Sequence, residues 1–410
     1  MKAIKRVLVL NRSFWPDVEA TGQFLTELCE GLAKGYRVTV IAGRSYYVGK
    51  ETFGIWRFYS RETFSGINIL RVRHTRFGKK SLIWRIANWL TYSILAFIVA
   101  LRIKSEMIIA CTDSPFLGII GMVISRLKSI PFIYNCRDLF PDVAWGLGRL
   151  DRDNWVGRLY DWLNKKAFHS AALVVCLGPS MKNRITQKRI ADARIKVITD
   201  WVDTSKIRLI PKNENPLIEK FGLKDKFVVM YSGNIGLSQD FRLILQAMNA
   251  IKDKFSFYLI FAGEGVGKKT LQREADSLGF NNVLFLPYQP LDMLSFSLSM
   301  ADLHLVPLKK GMAGAVVPSK VYGIMAAGRP YLAITDRDSE PARLAEEFGC
   351  GLWADPDDLN AISNNLKWSF QHPNELESMG TIGRGIAEAR FEKDAVINEW
   401  LDTLENLNRI

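Results

Sequence analysis

The segment GMAGAVVPSKVYGIMAAGRP (311–330) combines small residues with a cation in a way that suits phosphate chemistry. Pro318 is well placed to begin a helix, which would put Ser319 and Lys320 in its first turn. A lysine at that position opposes the helix dipole unless an anion lies beside it. We therefore predict that Ser319 and Lys320 hold a phosphate group, with an exposed lysine that binds nothing as the alternative.

A second glycine-rich segment, GEGVGKKT (263–270), follows a predicted strand and opens a predicted helix. It is not a Walker loop, because only three residues separate Gly263 from Gly267, and it lacks the third glycine of a dinucleotide-binding fingerprint. Small residues at a strand-to-helix turn still let a ligand approach the backbone, and the helix N-terminus favours anions. The segment indicates a ligand loop, with a plain tight turn as the alternative.

Two loops in the first half of the chain carry further candidates. PDVEATGQF (16–24) follows the first predicted strand and places Gly22 where the backbone can touch a diphosphate or a sugar. CRDLFPD (136–142) places Arg137 and Asp138 at the carboxyl end of another predicted strand, where ligands of open α/β sheets bind. An ion pair that only shapes the loop is the alternative for Arg137 and Asp138.

Metal and nucleophile chemistry find little support in the sequence. The histidines have no partner at metal-ligand spacing and no nearby catalytic serine or cysteine: His74, His169, His304 and His372. The five cysteines are scattered without a C-x-x-C pair, which indicates reduced, buried thiols. We predict neither a zinc site nor a histidine-based triad.

A parallel sheet would position these loops, and the sequence pattern in each half of the chain predicts such a sheet. Short β-branched runs alternate with longer helical patterns, which is typical of doubly wound α/β domains. The predicted strands are 6–10, 37–42, 67–72, 107–111, 132–136, 172–177, 196–199, 227–233, 257–263, 283–287, 303–307 and 330–334. With a linker at 203–216, the predicted domains are 1–205 and 206–390. A last helix, 391–410, closes the second domain or crosses back to the first.

Positive charge is concentrated in the first half. The 410 residues carry a net charge of +13, but residues 1–210 contain 34 basic and 16 acidic residues, so they alone account for +18. The hydrophobic content of 48% excludes a disordered chain. Such a charge asymmetry predicts an anionic partner, which could be nucleic acid, anionic lipid or a phosphorylated substrate.

The segment 71–104 is the best candidate for contact with an anionic membrane surface. Residues 63–105 contain eight basic residues and no acidic one, and they surround an uncharged stretch at 86–101. This stretch is shorter than the ~20 apolar residues of a spanning helix. We predict that helix 81–104 dips into the bilayer while basic residues meet the headgroups, with a helix buried between domains as the alternative.

Nucleic acid is not the predicted partner, because the aromatic residues of this segment lie mainly in the apolar helix and not between the basic residues. The N-terminal sequence MKAIKRVLVL is typical of a first strand and not of a signal peptide. The expected location is therefore cytoplasmic, peripheral on the inner face of the plasma membrane.

Taken in order, several motifs of this chain resemble family 4 glycosyltransferases, and most closely the fucosamine or colanic-acid branch. They are FWPDVEATGQFLTELCEGLAKGYRVTVIAG, CRDLFPD, MYSGNIG, FAGEG and VPSKVYGIMAAGRP. The resemblance covers nearly the whole chain and implies a GT-B fold, in which two Rossmann-like domains face each other across a cleft. It also implies a nucleotide-sugar donor as substrate, no cofactor, no metal, and retention of the anomeric configuration.

The resemblance also implies which residues bind the donor. They are Gly22 near the diphosphate or the transferred sugar, Gly233 and Asn234 near the phosphates, Glu264 and Gly265 near the base, and Ser319 and Lys320 at the diphosphate. Many relatives carry a Glu-x(7)-Glu motif, but this chain has Ala315 and Gly323 at those places. Glu340 is the substitute that we expect for the missing ribose carboxylate.

Together these observations predict a retaining glycosyltransferase of surface polysaccharide assembly. It would move a sugar from a nucleotide donor, with UDP favoured, to a lipid-linked glycan acceptor. The leaving diphosphate would take the acceptor proton, Lys320 would stabilise its charge, and Arg137 and Asp138 would lie at the acceptor. The alternatives are a sugar-nucleotide epimerase of the same fold and a non-catalytic basic module that binds membrane or nucleic acid.

Overall fold

The computed structural model describes residues 5–17, 19–45, 58–77 and 82–407, so Lys79 and Lys80 of the predicted membrane segment lie outside the described residues. The chain divides into two compact units. The first contains Met1–Thr199 and Ile397–Ile410, and the second is Asp200–Val396. The predicted linker at 203–216 belongs to the second unit.

The first unit is built on an eight-stranded sheet in the order β3-β4-β2-β1-β5-β6-β7-β8. Its strands are β1 (Arg6–Leu10), β2 (Arg37–Ala42), β3 (Tyr59–Phe64), β4 (Ile67–Val72), β5 (Met107–Ala110), β6 (Phe132–Cys136), β7 (Leu173–Cys176) and β8 (Ile195–Val197). All neighbouring strands are parallel except β3 and β4. The strand order reverses direction beside β1, and ligands of doubly wound sheets bind at such a point.

The helices of the first unit are α1 (Ala20–Leu32), α2 (Leu82–Arg102), α3 (Leu117–Lys128), α4 (Asp142–Gly146), α5 (Trp155–Ser170) and α6 (Pro179–Gln187). Helix α3 packs against both α2 and α5, so these three helices lie side by side. Helix α2 buries Tyr92, Ala96 and Val99, and the Tyr92 hydroxyl donates to the backbone oxygen of Ile41 at 2.7 Å. One face of α2 is therefore part of the core of this unit.

The second unit contains a six-stranded parallel sheet in the order β11-β10-β9-β12-β13-β14. Its strands are β9 (Phe227–Ser232), β10 (Phe257–Ala262), β11 (Val283–Leu286), β12 (Leu303–Pro307), β13 (Tyr331–Ile334) and β14 (Gly351–Ala354). Its helices are α7 (Pro216–Lys220), α8 (Arg242–Ile251), α9 (Lys268–Ser277), α10 (Leu294–Leu298), α11 (Lys320–Ala326), α12 (Glu340–Phe348), α13 (Leu359–Gln371) and α14 (Pro373–Arg390). Apolar residues of these helices and strands form its core.

The last helix, α15 (Lys393–Leu407), begins in the second unit, and its residues from Ile397 onward group with the first. A β-carbon added at Gly31 of α1 would lie 2.2 Å from Cγ2 of Ile397, so the two elements are in close contact. Lys196 donates to the Thr403 hydroxyl at 2.8 Å. These contacts make the end of α15 part of the first unit.

The doubly wound α/β fold is confirmed, and the predicted strands are observed with small differences at their ends. Two strands were not predicted. Strand β3 has the sequence YSRETF and alternates intermediate with exposed positions, so it carries no apolar run. Strand β14 is only four residues long, and helices α4, α6, α7, α12, α13 and α14 were also not predicted.

Candidate active site

In the second unit, the loops that follow β9 and β10 are hydrogen-bonded to each other. The amide of Ile235 donates to the backbone oxygen of Glu264 at 2.9 Å. Gly263 and Gly265 have φ angles of +149° and +155°, and a β-carbon at Gly263 would lie 1.9 Å from the backbone oxygen of Gly233. Only glycine fits there, so the glycines of the predicted ligand loop hold two loops against each other.

Lys320 points at the first of these loops. A β-carbon added at Gly233 would lie 3.3 Å from the Lys320 Nζ. The ammonium donates to the Tyr231 hydroxyl at 2.6 Å and lies 4.0 Å from the centre of that ring. The same hydroxyl donates to the backbone oxygen of Asn234 at 2.6 Å. Lys320, Tyr231, Gly233 and Asn234 therefore form one connected group.

The charge of Lys320 is not compensated within the part of the chain that the structure describes, where it makes no ion pair. Burial lowers its pKa to about 7. A cation held this way becomes more stable when an anion approaches, because the anion supplies the charge that the protein does not. This arrangement can bind a phosphate group and stabilise charge that develops on it.

Ser319 differs in position from the prediction. Helix α11 begins at Lys320, so Ser319 is the N-cap residue and Pro318 lies outside the helix. The Ser319 side chain makes no capping hydrogen bond, which leaves its hydroxyl at the helix start. Both Ser319 and Lys320 still lie at the start of the helix that follows β12.

Glu340 begins helix α12, directly after the N-cap Ser339, and is 5% exposed. It follows β13, which neighbours β12 in the sheet. Because the carboxyl ends of parallel strands meet at one edge of a sheet, the loops after β9, β10, β12 and β13 share that edge. The edge brings together the candidates of the second unit: Gly233, Asn234, Glu264, Gly265, Ser319, Lys320 and Glu340.

The lysine of the glycine-rich segment has a structural role. Lys268 pairs with the Glu264 carboxylate at 2.7 Å and donates to the backbone oxygen of Gly263 at 3.1 Å. Its positive charge is therefore neutralised within the loop by the Glu264 carboxylate. This distinguishes it from Lys320, which has no acidic partner among the described residues.

In the first unit, polar residues follow the adjacent strands β1, β5 and β6. Arg12 pairs with Asp113 at 3.1 Å, and the Ser13 hydroxyl donates to the same carboxylate at 2.5 Å. The Thr112 hydroxyl accepts from the amide of Asp138 at 3.0 Å. The neighbouring residue Arg137 is 9% exposed, and its guanidinium lies 5.0 Å from the centre of the Phe24 ring.

Gly22 is placed differently from the prediction. It lies in the first turn of α1 and not in a loop, and a β-carbon there would meet only ordinary contacts at 3.5 Å. Asp142, which closes the CRDLFPD motif, pairs with Lys188 at 2.7 Å and fixes a helix. Gly22, Arg137 and Asp138 all belong to the first unit, and the remaining predicted residues belong to the second.

Three residues at these sites were not singled out from the sequence: Arg12, Asp113 and Tyr231. Arg12 and Asp113 each follow a buried strand, which is a usable signal. Tyr231 lies inside β9 and looks like a core residue by pattern. Its role depends on Lys320, 89 residues away, and no local pattern indicates that contact.

Two Rossmann-like units, each with polar groups at the carboxyl edge of its sheet, are typical of the GT-B class of glycosyltransferases. Comparison with family models also identifies glycosyltransferase domains in this sequence. The model described as "Glycosyl transferase 4-like domain" matches residues 20–201, and the one described as "Glycosyl transferases group 1" matches residues 213–385. The colanic acid biosynthesis glycosyl transferase WcaI of Escherichia coli (strain K12) is 26% identical over 414 residues. That match covers 97% of this chain and 99% of WcaI.

Solved structures show the same fold. Sucrose-phosphate synthase from Thermosynechococcus elongatus has a TM-score of 0.78 at 14% identity, covering 99% of both chains. HepE of Anabaena, solved in complex with UDP, has a TM-score of 0.71 at 14% identity, covering 98% of this chain and 100% of HepE. The two family models together span most of the chain, so it belongs to the family 4 glycosyltransferases, and over its full length it is similar to a relative named for colanic acid biosynthesis. Its activity is glycosyl transfer, and the epimerase and non-catalytic alternatives are not favoured.

Proposed function

We propose that this protein transfers a sugar from a UDP-sugar to a lipid-linked glycan acceptor during polysaccharide biosynthesis. The observation that carries the proposal is Lys320, a buried cation without an acidic partner among the described residues, held against the Gly233 loop. HepE, a structural neighbour of this chain, was solved with UDP and with UDP-glucose. The name of WcaI connects that relative to colanic acid biosynthesis.

In the proposed reaction the acceptor hydroxyl attacks the anomeric carbon from the face that the diphosphate leaves. The bond from the anomeric carbon to the diphosphate oxygen breaks, and a bond to the acceptor oxygen forms. The acceptor proton passes to the leaving diphosphate, and Lys320 stabilises the growing negative charge there. Asp138 orients the acceptor hydroxyl, Arg137 lies beside it, and none of these steps requires a metal.

The proposed lipid-linked acceptor agrees with an exposed apolar face on the first unit. On α2 the exposed large residues recur at helical spacing: Ile83, Trp84, Ile86, Leu90, Ile94, Ile98 and Leu101. On α5 they are Trp155, Val156, Leu159 and Trp162. Since α2 and α5 flank α3, the two rows lie on the same side of the sheet, and we call them together the apolar face.

Within the described residues, Ile83–Arg102 is the one stretch long and apolar enough to cross a membrane. The core helix of a soluble domain can have the same length and composition. Helix α2 buries Tyr92 and Val99, while Ile83 is 73% and Ile94 56% exposed. These exposed side chains support contact with lipid over the alternative of a helix buried between the domains. We propose that the helix lies along an anionic bilayer on the cytoplasmic side.

The donor is identified by a thermal-shift screen with UDP-, GDP- and ADP-sugars. We expect a UDP-sugar to raise the melting temperature selectively, and Lys320→Ala to remove most of that increase. The matched control is Lys254→Ala, an exposed lysine of the same unit that precedes β10. A selective response to GDP- or ADP-sugars would reject UDP, and an unchanged response of Lys320→Ala would reject the role of the lysine.

A further inference from the structure

Tyr231 belongs to the core of the second unit, but its hydroxyl lies among the candidate donor-binding residues. The residue is fully buried in β9, and its ring meets the Phe241 ring edge-on with 4.8 Å between the centres. Phe241 in turn packs at 5.4 Å against Phe261 of the neighbouring strand β10. Because side chains in a core are close-packed, these rings fix the position of the Tyr231 hydroxyl.

That hydroxyl donates and accepts within the site. It donates to the backbone oxygen of Asn234 at 2.6 Å and accepts from the Lys320 ammonium at 2.6 Å. A phenol has one proton to donate and lone pairs to accept with, so both bonds form at the same time. A β-carbon added at Gly233 would lie 3.8 Å from this oxygen and 3.3 Å from the ammonium. The hydroxyl therefore connects the loop after β9 to the start of α11.

The ring of Tyr231 makes a second contact with the same cation. The Lys320 Nζ lies 4.0 Å from the centre of the ring, within the ~6 Å over which a cation is attracted to an aromatic face. The hydrogen bond and the ring contact both favour the charged form of Lys320. Burial favours the neutral amine and lowers the pKa of Lys320 to about 7. Tyr231 therefore opposes the effect of burial.

The charged groups of the loops after β10 and β11 are engaged elsewhere. The Glu264 carboxylate pairs with Lys268 at 2.7 Å. The Tyr288 hydroxyl donates to the backbone oxygen of Glu264 at 3.3 Å. Neither group has a charge left over for Lys320, so the Tyr231 hydroxyl and ring are the contacts on this side that favour its charged form.

The segments after β12 and β13 also carry titratable groups: Lys309, Lys310, Asp336, Arg337, Asp338 and Glu340. Lys310 pairs with Asp355 at 3.0 Å, and Asp336 accepts from the amide of Gly311 at 2.8 Å. Within the part of the chain that the structure describes, burial is the cause of the lowered Lys320 pKa, and none of these charges contributes to it.

We propose that Tyr231 is a positioning residue of the donor site, which holds the Lys320 ammonium against the Gly233 loop and keeps it charged until the donor diphosphate arrives. This inference rests on the proposed function, in which Lys320 binds that diphosphate. An ammonium has three N–H donors, so Lys320 can keep its bond to Tyr231 and present the others to phosphate oxygens. Tyr231 then acts on the donor only through the lysine.

The test removes the hydroxyl and leaves the ring. Tyr231→Phe keeps the contacts of the ring with Phe241 and with the ammonium, but Lys320 loses its hydrogen-bond acceptor. The matched control is Tyr258→Phe in the neighbouring strand β10, because the Tyr258 hydroxyl makes no hydrogen bond with a described residue. The melting temperature of each variant shows that it is folded.

The first measurement is the pKa of Lys320 in the full chain without ligand. Carbon-13 NMR of the lysine side chains follows the titration, and Lys320→Met assigns the signal. We expect a pKa of about 7 in the wild type and in Tyr258→Phe. Tyr231→Phe should titrate near pH ~6, because its charged form loses a hydrogen bond. An unchanged pKa in Tyr231→Phe would overturn the proposal.

The second measurement is calorimetric titration with UDP and with inorganic pyrophosphate at several pH values. Since the lysine is charged in the complex, the loss of affinity in Tyr231→Phe should grow with pH, from within about twofold of the wild type at pH ~5.5 to about tenfold at pH ~8. Adding Tyr231→Phe to Lys320→Met should cause no further loss, because the hydroxyl acts through the lysine. A loss of the same size at every pH indicates a structural defect and would overturn the proposal.

The design separates this inference from the proposed function. If UDP binds and its affinity depends on Lys320, but Tyr231→Phe behaves like the wild type in both measurements, only this inference fails. If neither UDP nor pyrophosphate binds while Tyr231→Phe lowers the pKa of Lys320, the proposed donor site fails and the hold of Tyr231 on the charged lysine stands.

Discussion

The two units share one architecture but have opposite surfaces. The first carries 33 basic and 17 acidic residues, a net charge of +16, and the second carries 22 and 25, a net charge of −3. Of the 19 exposed large apolar side chains in the described residues, 14 belong to the first unit. A doubly wound sheet therefore leaves the outer faces of its helices free to vary, and the difference is the one we expect if, as proposed, the first unit meets lipid and acceptor and the second binds the donor.

The units also differ in how they can hold phosphate. In the second, the candidate phosphate ligand is the buried Lys320, whose pKa of about 7 means that an approaching anion changes its protonation. The first has several arginines, which remain charged whether or not a ligand is present. The predictions below test this contrast, from the largest expected effect to the smallest.

Replacing Lys320 with alanine should have the largest effect. We expect turnover with a UDP-sugar to fall by about 10²–10³-fold, the range found when one transition-state donor is removed. The measurement is kcat for sugar transfer to a lipid-linked acceptor, with Lys254→Ala as the control. Turnover near that of the wild type would show that the lysine does not act on the leaving group.

Gly263→Ala should destabilise the second unit by about 3 kcal/mol, because the new β-carbon meets the backbone oxygen of Gly233 and the φ angle is unfavourable. Urea unfolding monitored separately for each unit is the measurement. The first unit should be unaffected. Gly385→Ala, an exposed helical glycine with open space around its α-carbon, should instead stabilise by about 1 kcal/mol. Similar effects of the two substitutions would contradict the packing argument.

Aspartate at both Ile94 and Ile98 should weaken binding to anionic vesicles by at least about tenfold, since each exposed isoleucine can bury an apolar side chain in lipid. The control places aspartate at Leu291 and Ile382, which are exposed residues of the second unit. The control should sediment like the wild type. If both pairs reduce binding equally, net charge and not the apolar face governs docking.

The affinity for UDP should fall as the pH rises above 7. The free protein has a Lys320 pKa of about 7, and the bound diphosphate raises it, so binding takes up a proton in this range. The affinity then falls by up to about tenfold per pH unit, and calorimetry in buffers of different ionisation enthalpy detects the proton. Lys320→Met should show neither effect. A pH-independent affinity in the wild type would mean that the lysine is charged before the donor arrives.

The sequence predicted the parallel strands well because each is an apolar run that must be buried on both faces, as in MIIA of β5. Lys320, indicated by its place at a helix start, and Gly233, implied by the family resemblance, lie next to each other in the structure, and their donor-binding role stays a prediction. Strand β3 was missed because an edge strand does not need an apolar run. The pairing of Arg12 with Asp113 depends on strand order, which composition and spacing alone do not determine.

The close contact of α15 with α1 has a consequence for synthesis. The first unit contains residues from both ends of the chain, and Ile397 occupies the space over Gly31. Domains generally fold as units, starting with the N-terminal one while the chain is still being made. Here the N-terminal unit is completed only after residues 397–407 have left the ribosome, so the second unit is synthesised entirely before the first can be finished.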